Sequence, residues 1–138
     1  MLIVRVIAVD ELDLQFSATA SNSHRARYAV QRVVDDCEFE PARGADFVLA
    51  VAEAMNNAAE HAYHDRSGDV RVVMRAHHGE LIATITDRGR WRLTPTPDRG
   101  RGLSIMRALA ERCDVSSDER GTTVTLAVSL AQRGRARA

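Results

Sequence analysis

The chain has 138 residues, 45% of them hydrophobic and 28% charged, with 19 basic and 19 acidic residues and a formal net charge of zero. That is one domain's worth of chain with a sizeable core, and it excludes a disordered segment or a protein held to nucleic acid or membrane by bulk positive charge. All 19 basic residues are arginine, which also excludes a Walker A loop, an ordinary protein-kinase fold and a Schiff-base enzyme, since each needs a lysine.

The first residues, MLIVRVIAV, are apolar but for Arg5 and are followed by Asp10, Glu11 and Asp13. This run is too short to cross a bilayer and lacks a basic leader, so residues 1–10 read as a lead-in or an extra strand. Leu12, Leu14 and Phe16 alternate with polar residues, the period-two mark of a half-buried strand. Ser21-Asn22-Ser23 offers a helix cap, and Tyr28, Val30, Val33 and Val34 mark an amphipathic helix ending near Cys37. A second helix is expected from about Ala42 to Tyr63, followed by a turn at 65–68. Val70, Val72 and Met74 alternate, as do Leu81, Ala83 and Ile85, and Gly79 joins the two runs as a hairpin. From Asp87 to Gly102 the sequence reads as a long irregular loop rich in arginine, glycine and proline, with Trp91 as its aromatic latch or partner contact. A helix built on Leu103, Ile105, Met106, Leu109 and Ala110 follows, then strands at 113–117 and 122–130 around a turn at Glu119-Arg120-Gly121, then a frayed tail over 131–138. The fold class expected is α+β: a two-layer sandwich of a mostly antiparallel mixed sheet with helices on one face. Residues 11–130 form the domain proper.

Cys37 and Cys113 show no metal or redox spacing and read as reduced thiols, so a soluble cytoplasmic protein is expected. Chemistry concentrates on the second helix. Glu53, Asn57 and His61 are spaced i, i+4, i+8 and stack along one stripe opposite Val48, Val51, Ala52 and Met55. A plain solvent face has the same spacing, but Asn56-Asn57 in mid-helix is a poor helix-forming pair that asks for a reason. A carboxylate one turn from an amide oxygen can bind a hard cation and orient a hydroxyl. His61 and His64 lack a third ligand of suitable spacing for zinc and read as surface residues. Asp87 ends a strand two residues before Gly89, where a carboxylate can accept hydrogen bonds from a ligand amine; a turn aspartate is the plainer reading. Gly100-Arg101-Gly102 opens a helix whose free N–H groups suit an anion, with Arg99 and Arg101 adding charge. Thr122 and Thr123 follow a hairpin turn, where threonine needs no special role.

Order and spacing add what no single signal carries. Glu53-Ala-Met-Asn-Asn57-Ala-Ala-Glu-His61, then Asp87-Arg-Gly89, then Gly100-Arg-Gly102-Leu103, then Gly121-Thr122 resembles the N, G1, G2 and G3 boxes of the GHKL superfamily of Bergerat-fold ATPases and kinases. The match covers roughly residues 11–130, and it looks most like the bacterial anti-sigma factor serine/threonine kinases of sporulation and stress response. The resemblance implies ATP and Mg2+ as cofactors. It implies Asn57 as the magnesium ligand and Glu53 as the catalytic base for the attacking hydroxyl. It implies Asp87 as acceptor for the adenine amino group, Gly89 as the residue shaping that pocket, and Gly100, Arg101, Gly102 and Leu103 as the box over the phosphates. Thr122 is the threonine near the adenine, with Thr123 as a close alternate. Arg27 matches a position used towards protein partners. Those partners are a STAS-type anti-anti-sigma factor and a sigma factor, regulated by partner switching, and a homodimer is implied.

The G1 segment lacks the family's second glycine, and its texture also resembles ATPase modules attached to metal-dependent serine phosphatases. The second reading is therefore a weakly binding or non-catalytic module that sequesters a sigma factor or controls such a phosphatase. A complete histidine kinase is not expected, because 138 residues leave no room for a dimerising phosphoacceptor helix pair. Direct nucleic-acid binding is not expected either, given zero net charge and no recognition motif.

Overall fold

Period-two apolar runs need a covered face, and here they find it in one sheet. In a computed structural model of the chain, residues 1–8, 10–62, 68–89 and 97–130 are described, with the side chains of 7–8, 61–62 and 97–102 outside that description. The strands are β1 (Leu2–Ala8), β2 (Glu11–Ser17), β3 (Asp69–His77), β4 (Glu80–Asp87), β5 (Arg112–Asp118) and β6 (Gly121–Ser129). The helices are α1 (Ala20–Asp36), α2 (Pro41–Asn57) and α3 (Pro97–Leu109), and α2 continues into a π-helical turn, Ala58–Ala62.

The six strands lie in the order β1-β2-β3-β4-β6-β5. All the pairings among the described residues are antiparallel, so the sheet is not mixed. Tight turns explain this for β1–β2, β3–β4 and β5–β6, since so short a connection can only join antiparallel strands, whereas β2–β3 and β4–β6 are joined through helices. His77 pairs with Glu80 across the turn residues His78 and Gly79, whose positive φ values of 50° and 77° fit the I′ turn that matches strand twist.

The alternating side chains Leu12, Leu14, Phe16, Val70, Val72, Met74, Leu81, Ala83, Ile85, Val124, Leu126 and Val128 are all buried on the face that the helices cover. Val30, Val33 and Val34 of α1, Phe47, Val48, Val51 and Met55 of α2, and Met106 of α3 meet them in one core. The other face of the sheet carries polar side chains such as Gln15, Arg71 and Thr86, giving the two-layer α+β sandwich.

Three helix boundaries differ from the sequence reading. The cap of α1 is Thr19, whose Oγ1 accepts the Asn22 N–H at 3.2 Å, a turn's reach earlier than Ser21–Ser23. The α-helical part of α2 stops at Asn57 rather than running to Tyr63. Finally, α3 starts at Pro97, inside the stretch read as loop, because proline at a first helical position brings a preset φ and sacrifices no hydrogen bond. The turn at residues 65–67, Trp91 and its loop at 90–96, His64, and the tail at 131–138 lie outside the described residues.

Candidate functional site

The first helix of the site is held at its start. The Glu40 carboxylate caps α2 by accepting the N–H groups of Ala42 and Arg43, each at 3.2 Å. Arg43 then donates to the Ser129 carbonyl at 2.6 Å and pairs with Glu111. Because Ser129 ends β6, α2 begins over that end of the sheet and runs back towards the end where β6 starts and β4 stops. Its π-helical continuation contacts both β4 and β6 there. Glu53 and Asn57 sit one turn apart on the last two turns of α2, both half-buried. His61 falls in the π-turn, where the residue period changes, so the stripe expected over Glu53, Asn57 and His61 holds in α-helical register only for the first two.

Beneath that end lies the polar exception in the core. Among the described residues, Asp87 at 2% exposure and Thr122 at 1% are the buried polar or charged ones. They are direct cross-strand partners in the β4–β6 ladder, and Asp87 also pairs with Val70 on its other side. Both therefore continue the row of inward-facing residues to the rim of the sheet. Burial of a carboxylate costs several kcal/mol unless polar groups meet it. One that does is the Gly89 N–H, which donates to Asp87 Oδ1 at 2.9 Å and folds the strand end into an Asx-type turn. Thr122 Oγ1 lies 3.0 Å from Ser117 Oγ on β5, so its hydroxyl is oriented from the far strand.

Gly121 fixes the spacing of this pair. Its φ is +141°, and a Cβ there would stand 1.9 Å from the Asp87 carbonyl oxygen and 2.7 Å from the Arg88 Cα. Only glycine lets the two strand ends approach so closely.

The structure thus brings together Glu53, Asn57, Asp87, Gly89 and Thr122 at one end of the sandwich. Leu103 packs against the core from α3, which itself packs on α2. Gly100, Arg101 and Gly102 lie within the first two turns of α3 rather than ahead of it. None of the three falls among the residues whose N–H groups lack an intrahelical acceptor: Gly100 is the fourth helical residue, the position whose N–H in α1 and α2 (Ser23 and Gly44) donates to the cap carbonyl. Arg27 is exposed on α1. Ser117 and the steric role of Gly121 were not among the expected site residues. The turn at 119–120 fixes their pairing, so the register Asp118↔Gly121 and Ser117↔Thr122 was the signal that could have found them. A separate hollow of about 540 Å³ on the open face of the sheet, walled by Gln15, Asp69, Arg71 and Thr86, reaches Asp87 from the other side and contains none of the remaining expected residues.

A two-layer sandwich of one antiparallel sheet with helices on one face, with a buried aspartate–threonine pair at the sheet's rim, defines an α+β domain. The chain belongs to the histidine kinase-like ATPase domain family, whose model matches residues 16–128. Such a domain is an ATP-binding one. Among solved structures, the fold is similar to that in the crystal structure of the RsbU and RsbW domains of Rv1364c from Mycobacterium tuberculosis, with a TM-score of 0.64 and 24% sequence identity. The match covers 85% of this chain and 32% of that one, so this chain spans about a third of the longer protein it resembles. No helix of the described residues is long and apolar enough to cross a membrane.

Proposed function

We propose that the chain is an ATP-dependent, magnesium-requiring anti-sigma factor kinase that phosphorylates a serine or threonine of a STAS-type anti-anti-sigma partner in the cytoplasm. The observation that carries this is the vertical order of the site: a buried Asp87–Thr122 pair at the sheet rim, beneath the helix end that presents Glu53 and Asn57. The solved relative that names an RsbW domain supports the same reading.

The residues fit the groups this function requires. A buried carboxylate already shaped by the Gly89 N–H suits the exocyclic amine of adenine, and the Thr122 hydroxyl beside it supplies a second polar contact. The Asn57 amide oxygen is a hard donor of the kind magnesium takes, and Gly100 and Gly102, without side chains, let phosphate oxygens approach the first turns of α3 closely. Magnesium, when bound, supplies charge neutralisation on the phosphates. Glu53, one turn before Asn57, takes the proton of the partner's hydroxyl as that oxygen bonds the γ-phosphorus and the bond to the departing ADP breaks. The rest is positioning and charge stabilisation. Arg27, exposed on α1, is assigned to partner contact.

Incubation with γ-labelled ATP, magnesium and the STAS-domain proteins of the source genome tests the proposal. Label on one serine or threonine of one STAS protein is the expected result. Tight binding of a sigma factor with no label on any STAS protein would instead establish the sequestering module.

A further inference from the structure

A row of inward-facing side chains crosses the sheet at its rim. It runs through Phe16, Val70, Asp87, Thr122 and Ser117 on β2, β3, β4, β6 and β5, each the direct cross-strand partner of the next. Phe16 and Val70 are apolar and buried, Asp87 and Thr122 are polar and buried, and Ser117 is the exposed end. Ser117 Oγ lies 3.0 Å from Thr122 Oγ1. Its place is set by the turn beside it. Asp118 Oδ1 accepts the Arg120 N–H at 2.8 Å, which closes the turn and puts Ser117 opposite Thr122.

Charge decides the direction of that hydrogen bond. A hydroxyl has one proton and two lone pairs. Thr122 sits on β6 between β4 and β5, so Asp87 and Ser117 flank it from opposite sides. A carboxylate attracts the positive end of a neighbouring O–H dipole and repels its lone pairs. The Thr122 proton therefore turns to the Asp87 side and its lone pairs to the Ser117 side, where a donor is needed. The Ser117 hydroxyl is that donor.

We infer that Ser117 is a positioning residue for nucleobase recognition. Resting on the nucleotide reading of the Asp87–Thr122 pair, it assigns Ser117 the task of holding Thr122 Oγ1 in place with the proton facing the base. Asp87 and Thr122 then act as an acceptor and a donor side by side. That order matches adenine, whose amine lies next to the ring acceptor N1. It mismatches hypoxanthine and guanine, which present a carbonyl oxygen next to a ring N–H in the reverse order. A site built to hydrogen-bond one edge rejects the other because its own buried groups are left unpaired. Without the Ser117 hydroxyl, the Thr122 lone pairs lack a donor at 1% exposure. Rotation about χ1 is then open to Thr122, exchanging Oγ1 with the methyl group and taking the donor from its place beside Asp87.

Plain sheet stabilisation makes a different forecast. Cross-strand hydroxyl pairs support a ladder wherever they occur, and the same two strands carry another, Ser116 opposite Thr123, on the open face. The β4 partner of Thr123 is Thr86, an uncharged residue. If Ser117 only supported the ladder, Ser116 and Ser117 would be equivalent.

Titration with ATP and with 1-deaza-ATP, in which a C–H group replaces N1, tests the assignment on the parent, Ser117→Val, Ser117→Thr and Ser116→Val. Valine and threonine share a shape and both suit a strand, so the two Ser117 variants differ only in the hydroxyl. Ser117→Val is expected to weaken ATP binding about 3- to 10-fold, the worth of one hydrogen bond. Ser117→Thr and Ser116→Val should stay within twofold of the parent. With 1-deaza-ATP the parent and Ser117→Val should bind alike, because the Thr122 proton then has no acceptor on the base. Parent-like ATP affinity in Ser117→Val overturns the inference. So does an equal loss in Ser117→Thr or in Ser116→Val, or a loss that persists undiminished with 1-deaza-ATP. Each of these leaves the nucleotide reading standing, whereas a parent chain that binds no ATP overturns both. Should Ser117→Val fail to fold, Ser117→Ala replaces it in every comparison.

Discussion

Gly121→Ala tests whether the close approach of two strand ends is what builds the proposed nucleotide site. The added Cβ would lie 1.9 Å from the Asp87 carbonyl oxygen and 2.7 Å from the Arg88 Cα, and both are backbone atoms that no rotamer change can move aside. Overpacking of this kind costs about 1–3 kcal/mol, and a φ of +141° in a residue with a side chain costs about another 1–2 kcal/mol. The sum, roughly 2–5 kcal/mol, corresponds to a fall in melting temperature of about 8–20 °C for a domain of this size. Gly79→Ala is the built-in control. Its φ is also positive, at +77°, but a Cβ there meets nothing within 4 Å, so only the backbone term of about 1 kcal/mol applies. The two variants should also separate in function. In Gly121→Ala the end of β4 must shift, taking Asp87 with it, and loss of a hydrogen bond to a charged group weakens nucleotide binding about 10- to 150-fold. Calorimetric melting and fluorescent-nucleotide titration read both effects. A Gly121→Ala variant that melts with Gly79→Ala and binds nucleotide as the parent does would refute the reasoning.

Glu53→Ala should retain nucleotide binding while phosphotransfer to the cognate STAS protein falls by about 10²–10⁴-fold in a single-turnover assay. Asn57→Ala should weaken nucleotide binding in the presence of magnesium but not in its absence, whereas Asn56→Ala, on the exposed neighbour, should change neither; titrations with and without EDTA distinguish them. Asp13 accepts two hydrogen bonds from Arg71, and that contact holds its carboxyl below the ordinary value near 3.8. The pair therefore stabilises the fold above about pH 4, and its contribution is lost as pH falls through the lowered value; because the pair is partly exposed, Asp13→Asn should cost no more than about 1 kcal/mol at pH 7 and progressively less as pH falls below 4 in urea titrations. Burial pushes the Cys113 thiol up, so Ellman's reagent at pH 8 should label it more slowly than a free thiol, with Cys37, buried at 0% exposure, reacting only on unfolding.

Period-two alternation made the inner strands legible, because it states directly which side chains need cover: Leu12 to Phe16, Val70 to Met74 and Leu81 to Ile85 all lie where the pattern puts them. The candidate site was legible as residue types in order, since Glu53, Asn57, Asp87 and Thr122 each stand in a recognisable local setting. What the pattern could not express was adjacency. Asp87 and Thr122 are 35 positions apart in sequence and become neighbours only through the β4–β6 register. That register is closed by α3 and two turns, none of which local periodicity specifies. Helix ends were the least readable part, because Thr19, Ser21, Asn22 and Ser23 are all competent caps and only the backbone path selects Thr19. Pro97 illustrates the same ambiguity: proline marks both loops and helix starts, and α3 takes the second meaning.

The end of α2 shows where the sequence sacrifices local stability. Its start is well made, with a capping carboxylate, Pro41 in the first turn and Arg43 anchored to Ser129 and Glu111. Its inward face, from Phe47 to Met55, is fully buried. Asparagine costs about 0.6 kcal/mol relative to alanine inside a helix, so Asn56-Asn57 together cost on the order of 1 kcal/mol, and the π-turn that follows has poorer hydrogen-bond geometry than the α-helix it replaces. Core packing does not explain the asparagines: Asn56 is exposed and Asn57 is only half-buried, while Ala58, which opens the π-turn, lies in the core. Yet both features fall together at the one helix end that lies over Asp87 and Thr122. Local rules broken at a single place, in a helix otherwise consistent, fit the roles proposed for Glu53 and Asn57. The absence of lysine fits the same economy, since the groups gathered at this end are a carboxylate pair, an amide, a hydroxyl and backbone N–H groups, and none of their roles calls for an amine.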